Sequence, residues 1–271
     1  MKQELYYRKM GQGEPLIILH GMYGSSDNWY TVGKALSEKF EVYLIDQRNH
    51  GRSPHSPEMS YPLLRDDLRD FLDQHDLWKV SIIGHSMGGK AAIFFAAAYP
   101  HRVKKLIVVD ISPRSYKNLL KPSEQVLSHL NIIQSLLSLN ISEITSRTQA
   151  DKQLAETVKS IAVRQFLLKN LIRNKEGKFE WALNLNAIQK ALPAMMDGID
   201  EKTVDEGLRI TGFPVLFIRG GDSDYIKDED EIFIKKLFPK AEIETIAGAG
   251  HWLHSEKTEE FSELVKKFLN H

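Results

Sequence analysis

No cysteine occurs anywhere in the 271 residues, so disulfides, thiolate metal sites and a thiol nucleophile are all excluded, and the chain suits a reducing, cytoplasmic compartment. Net charge is absent as well. The 36 basic residues balance 36 acidic ones, leaving no field of one sign to draw nucleic acid or an anionic membrane. A small neutral ligand fits such a surface better. No stretch approaches the roughly 18 consecutive apolar residues of a membrane-spanning helix, and the charged, aromatic opening segment lacks the apolar run of a secretory signal. Repeats at solenoid periods and low-complexity tracts are missing too. What remains is 42% apolar content, enough to bury one full core.

That apolar content is distributed in two alternating patterns. Short β-branched or apolar runs at residues 16–20, 42–46, 80–84 and 105–110 are too short for helices and read as buried parallel strands. Between them lie amphipathic stretches at 27–39, 61–75 and 87–99, the last stopped by Pro100, which makes successive strand–helix units and predicts an α/β fold with a doubly wound, mostly parallel sheet. Before Leu16 there is room for one short strand at 5–8. Beyond Asp110 the strand signal lapses, and helix-periodic runs at 123–139, 142–169 and 186–196 predict an inserted helical cap over residues 113–208. Strand patterns return at 215–219 and 242–246, with helices at 228–238 and 255–269. The core is therefore expected from residues 1–112 and 209–271.

The sharpest local signal is Gly84-His85-Ser86-Met87-Gly88, a G-x-S-x-G directly after a strand and directly before a helix. A tight turn there strains the serine backbone, exposes its hydroxyl and tolerates only small neighbours. The same stretch, residues 84–90, also spells the G-x-x-x-x-G-K of a phosphate-binding loop. That reading fails at Ala91, where a Ser or Thr hydroxyl would have to hold magnesium. Ser86 is therefore read as a nucleophile, and Lys90 as a helix residue packing near it.

A serine nucleophile needs a base, an acid that orients the base, and donors aimed at the developing oxyanion. His251 lies in a glycine-flanked loop after the last strand and satisfies the chain order serine, acid, histidine. His85, beside the serine, and His50, His55 and His254, in loops near the mouth, are read as bystanders. The backbone amides of Met22, after the first buried strand, and Met87, after the nucleophile, are the expected oxyanion hole. Two carboxylates end neighbouring strands, Asp110 and Asp224, and either can orient the imidazole; Asp222 is a weaker third. Nothing in this set calls for a metal or cofactor.

The blocks at residues 20–25, 46–54, 84–90, 109–113 and 248–254 together resemble the α/β-hydrolases and, within them, the YbfF-type bacterial esterases and their mitochondrial abhydrolase-domain relatives. The resemblance runs from about residue 16 to the C-terminus and is least diagnostic in 113–208. It implies an α/β-hydrolase fold and cleavage of carboxylic esters with short or medium acyl chains, acyl thioesters included, through an acyl-enzyme and without a cofactor. It also implies that the acid comes from the earlier strand, which favours Asp110 over Asp224. Other serine chemistry on the same scaffold, such as C–C bond hydrolysis or aminopeptidase activity, and a non-catalytic receptor are the competing readings.

Overall fold

The computed structural model describes residues 3–116 and 124–270. Its first half runs β1 (Tyr7–Met10), β2 (Glu14–Leu19), α1 (Tyr30–Leu36), β3 (Phe40–Ile45), α2 (Tyr61–Gln74), β4 (Val80–His85), α3 (Met87–Ala98) and β5 (Val103–Val109). The insertion follows with α4 (Glu124–Ser138), α5 (Arg147–Leu154), α6 (Ile161–Leu168), β6 (Leu171–Arg173), β7 (Phe179–Trp181), α7 (Leu185–Met195) and α8 (Glu201–Asp205). The chain closes with β8 (Val215–Gly220), α9 (Asp228–Leu237), β9 (Glu242–Ile246), α10 (Leu253–Glu256) and α11 (Thr258–Asn270).

Seven strands form one sheet in the order β1-β3-β2-β4-β5-β8-β9. Only β1, at the edge, runs antiparallel to its neighbour; every other pair is parallel. Because both faces are covered, the inner strands are continuous apolar runs whose residues alternate between two cores. Ile17, Ile82 and Val108 pack beneath α2, α3 and α9, while Ile18, Ile83 and Val109 pack beneath α1 and α11. Parallel strands all end on one rim, and ligands of such sheets bind outside that rim. The residues that follow β2, β4, β5 and β8 are His20, Ser86, Asp110 and Gly221, so the rim gathers the sequence blocks singled out above.

The insertion leans on this rim. Tyr61 Oη donates to the Met195 carbonyl at 2.9 Å, Asn170 Nδ2 to the Tyr23 carbonyl at 2.8 Å, and the Asn184 amide to the Asn49 carbonyl at 3.0 Å. It departs from the sequence expectation in two ways. The single helical run expected at 142–169 is cut into α5 and α6, each begun by a serine: Ser146 accepts from the Gln149 amide and Ser160 from the Val163 amide. An all-helical insertion was also expected, whereas β6 and β7 form a small antiparallel hairpin. Its turn is closed by Asn174, whose side chain accepts from the Glu176 and Lys178 amides, and by Gly177 at a φ of 79°. The helix expected to begin at Ser123 is described from Glu124 onward, and Ser123 itself lies outside the described residues.

Candidate active site

Ser86 joins β4 to α3 in a conformation that side chains rarely adopt, with φ 52° and ψ −118°. The turn is possible because two neighbours lack a side chain. A Cβ on Gly84 would sit 2.4 Å from the Gly88 carbonyl oxygen, and one on Gly88 would sit 2.5 Å from that of Leu19. The amide of Ser86 donates to the Val109 carbonyl at 2.9 Å, pinning the turn to β5. Its hydroxyl makes no capping bond to the helix. Ser86 instead lines a cavity shared with Met22 and Met87. Met87 is the first residue of α3, and the first amides of a helix have no partner within it.

Asp110 follows β5 and is fully buried, again with a left-handed backbone at φ 49°. Its carboxylate collects three donors. Oδ1 accepts from the Gly220 amide at 3.0 Å, and Oδ2 accepts from Ser223 Oγ and from His251 Nδ1, the latter at 2.7 Å. Asp222 and Asp224 are exposed on the same loop. Of the carboxylates weighed from sequence, Asp110 is the one hydrogen-bonded to the imidazole. With its proton on Nδ1, His251 keeps Nε2 as the basic nitrogen.

Two side chains hold His251 besides Asp110. The Tyr225 ring stacks on it at 3.8 Å and 17°, the His85 imidazole lies 4.7 Å away, and His85 Nε2 donates to the His251 carbonyl at 2.8 Å. His85 immediately precedes Ser86, and Tyr225 lines the same cavity as Ser86, so both side chains that hold the imidazole adjoin the serine. Among the described residues the imidazole and Ser86 Oγ are not directly hydrogen-bonded, the imidazole's side-chain partner being Asp110. Glu256 accepts from the Gly250 amide at 2.6 Å and braces the loop.

The other sequence blocks build the frame around Met22. His20 Nδ1 donates to the Gly21 carbonyl at 2.8 Å, and its Nε2 accepts from the Gln47 amide at 3.0 Å. His50 Nε2 accepts from the Tyr23 amide at 3.3 Å while its Nδ1 donates to the Arg48 carbonyl. Arg48 is itself clamped by both oxygens of buried Asp67 at 2.5 and 2.6 Å. Burial pushes His20 down to about 4 and His50 to about 3, so both rings stay neutral and can accept. Of the histidines expected in loops near the mouth, His50 and His254 are instead buried structural groups.

One pair of side chains carries no local sequence signal. Tyr225 and His129 both line the cavity, and Tyr225 Oη meets His129 Nε2 at 3.3 Å. His129 belongs to α4, in the insertion. Lys90 is buried in the same wall, donating to the carbonyls of Arg114 at 2.7 Å and Asp197 at 2.6 Å and facing the Tyr116 ring at 4.1 Å. Burial lowers it to about 7 despite the opposing pull of Asp197 and Asp230.

A strained serine turn between strand and helix, a buried aspartate after the next strand and a histidine beyond the last define the class of α/β hydrolases. The chain belongs to that family: the α/β hydrolase fold family model matches residues 14–258. It is 38% identical over 263 residues to the sn-1-specific diacylglycerol lipase ABHD11 of Xenopus laevis, covering 95% of this chain and 80% of that protein. It is 33% identical over 256 residues to esterase YbfF of Escherichia coli, covering 94% and 93%. Among solved structures, a marine microorganism esterase superposes with a TM-score of 0.91 at 45% identity, over 98% of this chain and 99% of that one.

Proposed function

We propose that this chain is a serine hydrolase that cleaves carboxylic esters of short to medium acyl chains, and acyl thioesters, with Ser86, His251 and Asp110 acting as one unit and without a cofactor. The observation that carries the reading is the 2.7 Å bond from His251 to a carboxylate that two other donors hold in place. The names of the similar proteins, lipase and esterase, agree with it.

Ser86 Oγ attacks the ester carbonyl carbon as His251 Nε2 takes its proton. Contacts of this kind are often long in unliganded enzymes and tighten with substrate, so a rotation of the serine side chain completes the link. The carbonyl oxygen becomes an oxyanion facing the Met22 and Met87 amides, which are fixed before the reaction and need no reorganisation. The tetrahedral intermediate collapses, the C–O bond breaks, and the alcohol leaves with the proton from His251. Water then attacks the acyl-enzyme, giving its proton to His251, and the acid departs as Ser86 regains its hydrogen. Asp110 keeps the imidazole in the productive tautomer and stabilises its charged form. Residues 113–208 act as a cap over the rim, supplying cavity walls through Tyr116, His129, Met195 and Met196.

The test is Ser86→Ala assayed on p-nitrophenyl acetate and butyrate, together with labelling by a fluorophosphonate. Expected are a loss of several orders of magnitude in kcat and no labelling. Activity retained in Ser86→Ala refutes the assignment.

A further inference from the structure

The polar tips that meet in the cavity beside Ser86 are nearly all committed. Tyr61 Oη donates to the Met195 carbonyl at 2.9 Å and Tyr116 Oη to the Tyr225 carbonyl at 3.2 Å. Lys90 spends two of its hydrogens on the Arg114 and Asp197 carbonyls. Tyr225 Oη meets His129 Nε2. One group is left: His129 Nδ1 is shielded from solvent and has no hydrogen-bond partner among the described residues.

The identity of that atom follows from its neighbours. Burial holds the His129 ring down to about 4 and raises Tyr225 above the usual phenol range, so at neutral pH the imidazole carries one proton and the phenol keeps its own. With the phenol hydrogen directed to Nε2, its acceptor among the described residues, the imidazole carries its own hydrogen on Nδ1. His129 therefore presents a donor. Buried donors are rarely left unpaired in native proteins, and an open one at a binding cavity marks where a ligand atom belongs. The ring cannot swing away freely: Tyr225 fixes its far nitrogen, and Tyr23 Oη donates to the His129 carbonyl at 3.3 Å.

Building on the serine-hydrolase reading above, we infer that His129 is a specificity-determining residue whose Nδ1–H donates to a second oxygen of the substrate. The preferred substrates are then esters that carry a hydroxyl, carbonyl or ether oxygen a few bonds from the scissile carbonyl, rather than plain hydrocarbon esters. A site built around a polar group discriminates against analogues that leave the group unpaired. Tyr225 links this contact to the base, because the ring that holds His129 is the one stacked on His251.

The experiment uses the full chain and two matched substrate pairs. Glycerol monobutyrate against propyl butyrate probes oxygen on the alcohol side; ethyl 3-hydroxybutyrate against ethyl butyrate probes the acyl side. The readout is the ratio of kcat/KM within each pair, which cancels any general loss of active enzyme. The wild type is expected to favour the oxygenated member of one pair by roughly threefold to tenfold, and the pair that shows it locates the oxygen. In His129→Phe that ratio falls to about one. His129→Asn, whose amide keeps an N–H donor, retains part of it. Equal rates within both pairs in the wild type overturn the inference even if neither variant folds, and so does an undiminished preference in His129→Phe. Failure of the serine-hydrolase reading shows elsewhere, as p-nitrophenyl acetate turnover that survives Ser86→Ala.

Discussion

At the scale of single residues, the decisive difference lies between two aspartates that look alike in sequence. Both follow strands of the same sheet and both lie near the rim. Asp110 takes a left-handed backbone that turns its carboxylate inward onto Gly220, Ser223 and His251, while Asp224 lies exposed in its loop. Asp110→Asn should lower kcat by about four orders of magnitude with little change in fold, and Asp224→Asn should leave kcat within about twofold of wild type; steady-state kinetics on p-nitrophenyl butyrate separate them. That Ser86, His251, Met22 and Met87 sit in loops at strand ends was legible because short glycine-flanked motifs fix those turns locally. Which carboxylate meets the imidazole was left open by the residues themselves and favoured as Asp110 only through the family resemblance, since it depends on the direction of a side chain that the assembled sheet determines. His85 was passed over for a similar reason. Its Nε2–H supports the His251 carbonyl, so His85→Phe, which leaves that carbonyl unpaired, should reduce kcat by about tenfold, corresponding to about 1 to 2 kcal/mol, with KM nearly unchanged.

Among the elements, α3 carries the tightest constraints. Gly88 touches the backbone of β2 so closely that Gly88→Ala must displace either the helix or the strand; a loss of about 3 kcal/mol is expected in urea unfolding. One turn in, Lys90 fastens two segments of the insertion, through Arg114 and Asp197. Those segments also pair directly, Arg114 bridging Ile199, and a Cβ on Gly198 would meet the Arg114 backbone at 2.3 Å. Lys90→Ala removes the stem and leaves two carbonyls unpaired, so it should destabilise by about 2 to 4 kcal/mol and speed proteolytic cleavage near residues 114 and 197. Lys90→Met keeps the stem and should cost less. The core elements were readable from periodicity because their environment repeats along the chain. Inside the insertion it does not: α5 and α6 follow one another under a single helical period, and the break between them is set by serine caps and packing. The β6–β7 hairpin, with three residues in each strand, is too short to show alternation.

For the molecule as a whole, the rim and its surroundings hold several histidines that folding keeps neutral. Burial lowers His20 and His129 to about 4 and His50 and His254 to about 3, against about 6.5 in the unfolded chain. Between those values the unfolded state binds more protons than the native one. Stability is therefore full above pH 6.5, falls as the pH drops below it, and stops falling on their account only beneath the folded values. Each group contributes a slope of up to about 1.4 kcal/mol per pH unit. Melting temperatures measured from pH 7.5 down to 4.5 should drop steeply, and His254→Phe, preserving the stack on Trp29 at 4.1 Å, should flatten the curve by one proton's worth. A pH-independent melting temperature contradicts this account. The sheet order has its own result for how copies of the chain meet. Its two outermost strands, β1 and β9, show charged groups to solvent, Lys9 on one side and Glu242 and Glu244 on the other. A neighbour adding on by backbone pairing would have to strip water from those charges, which penalises growth of the sheet into a filament at either open margin.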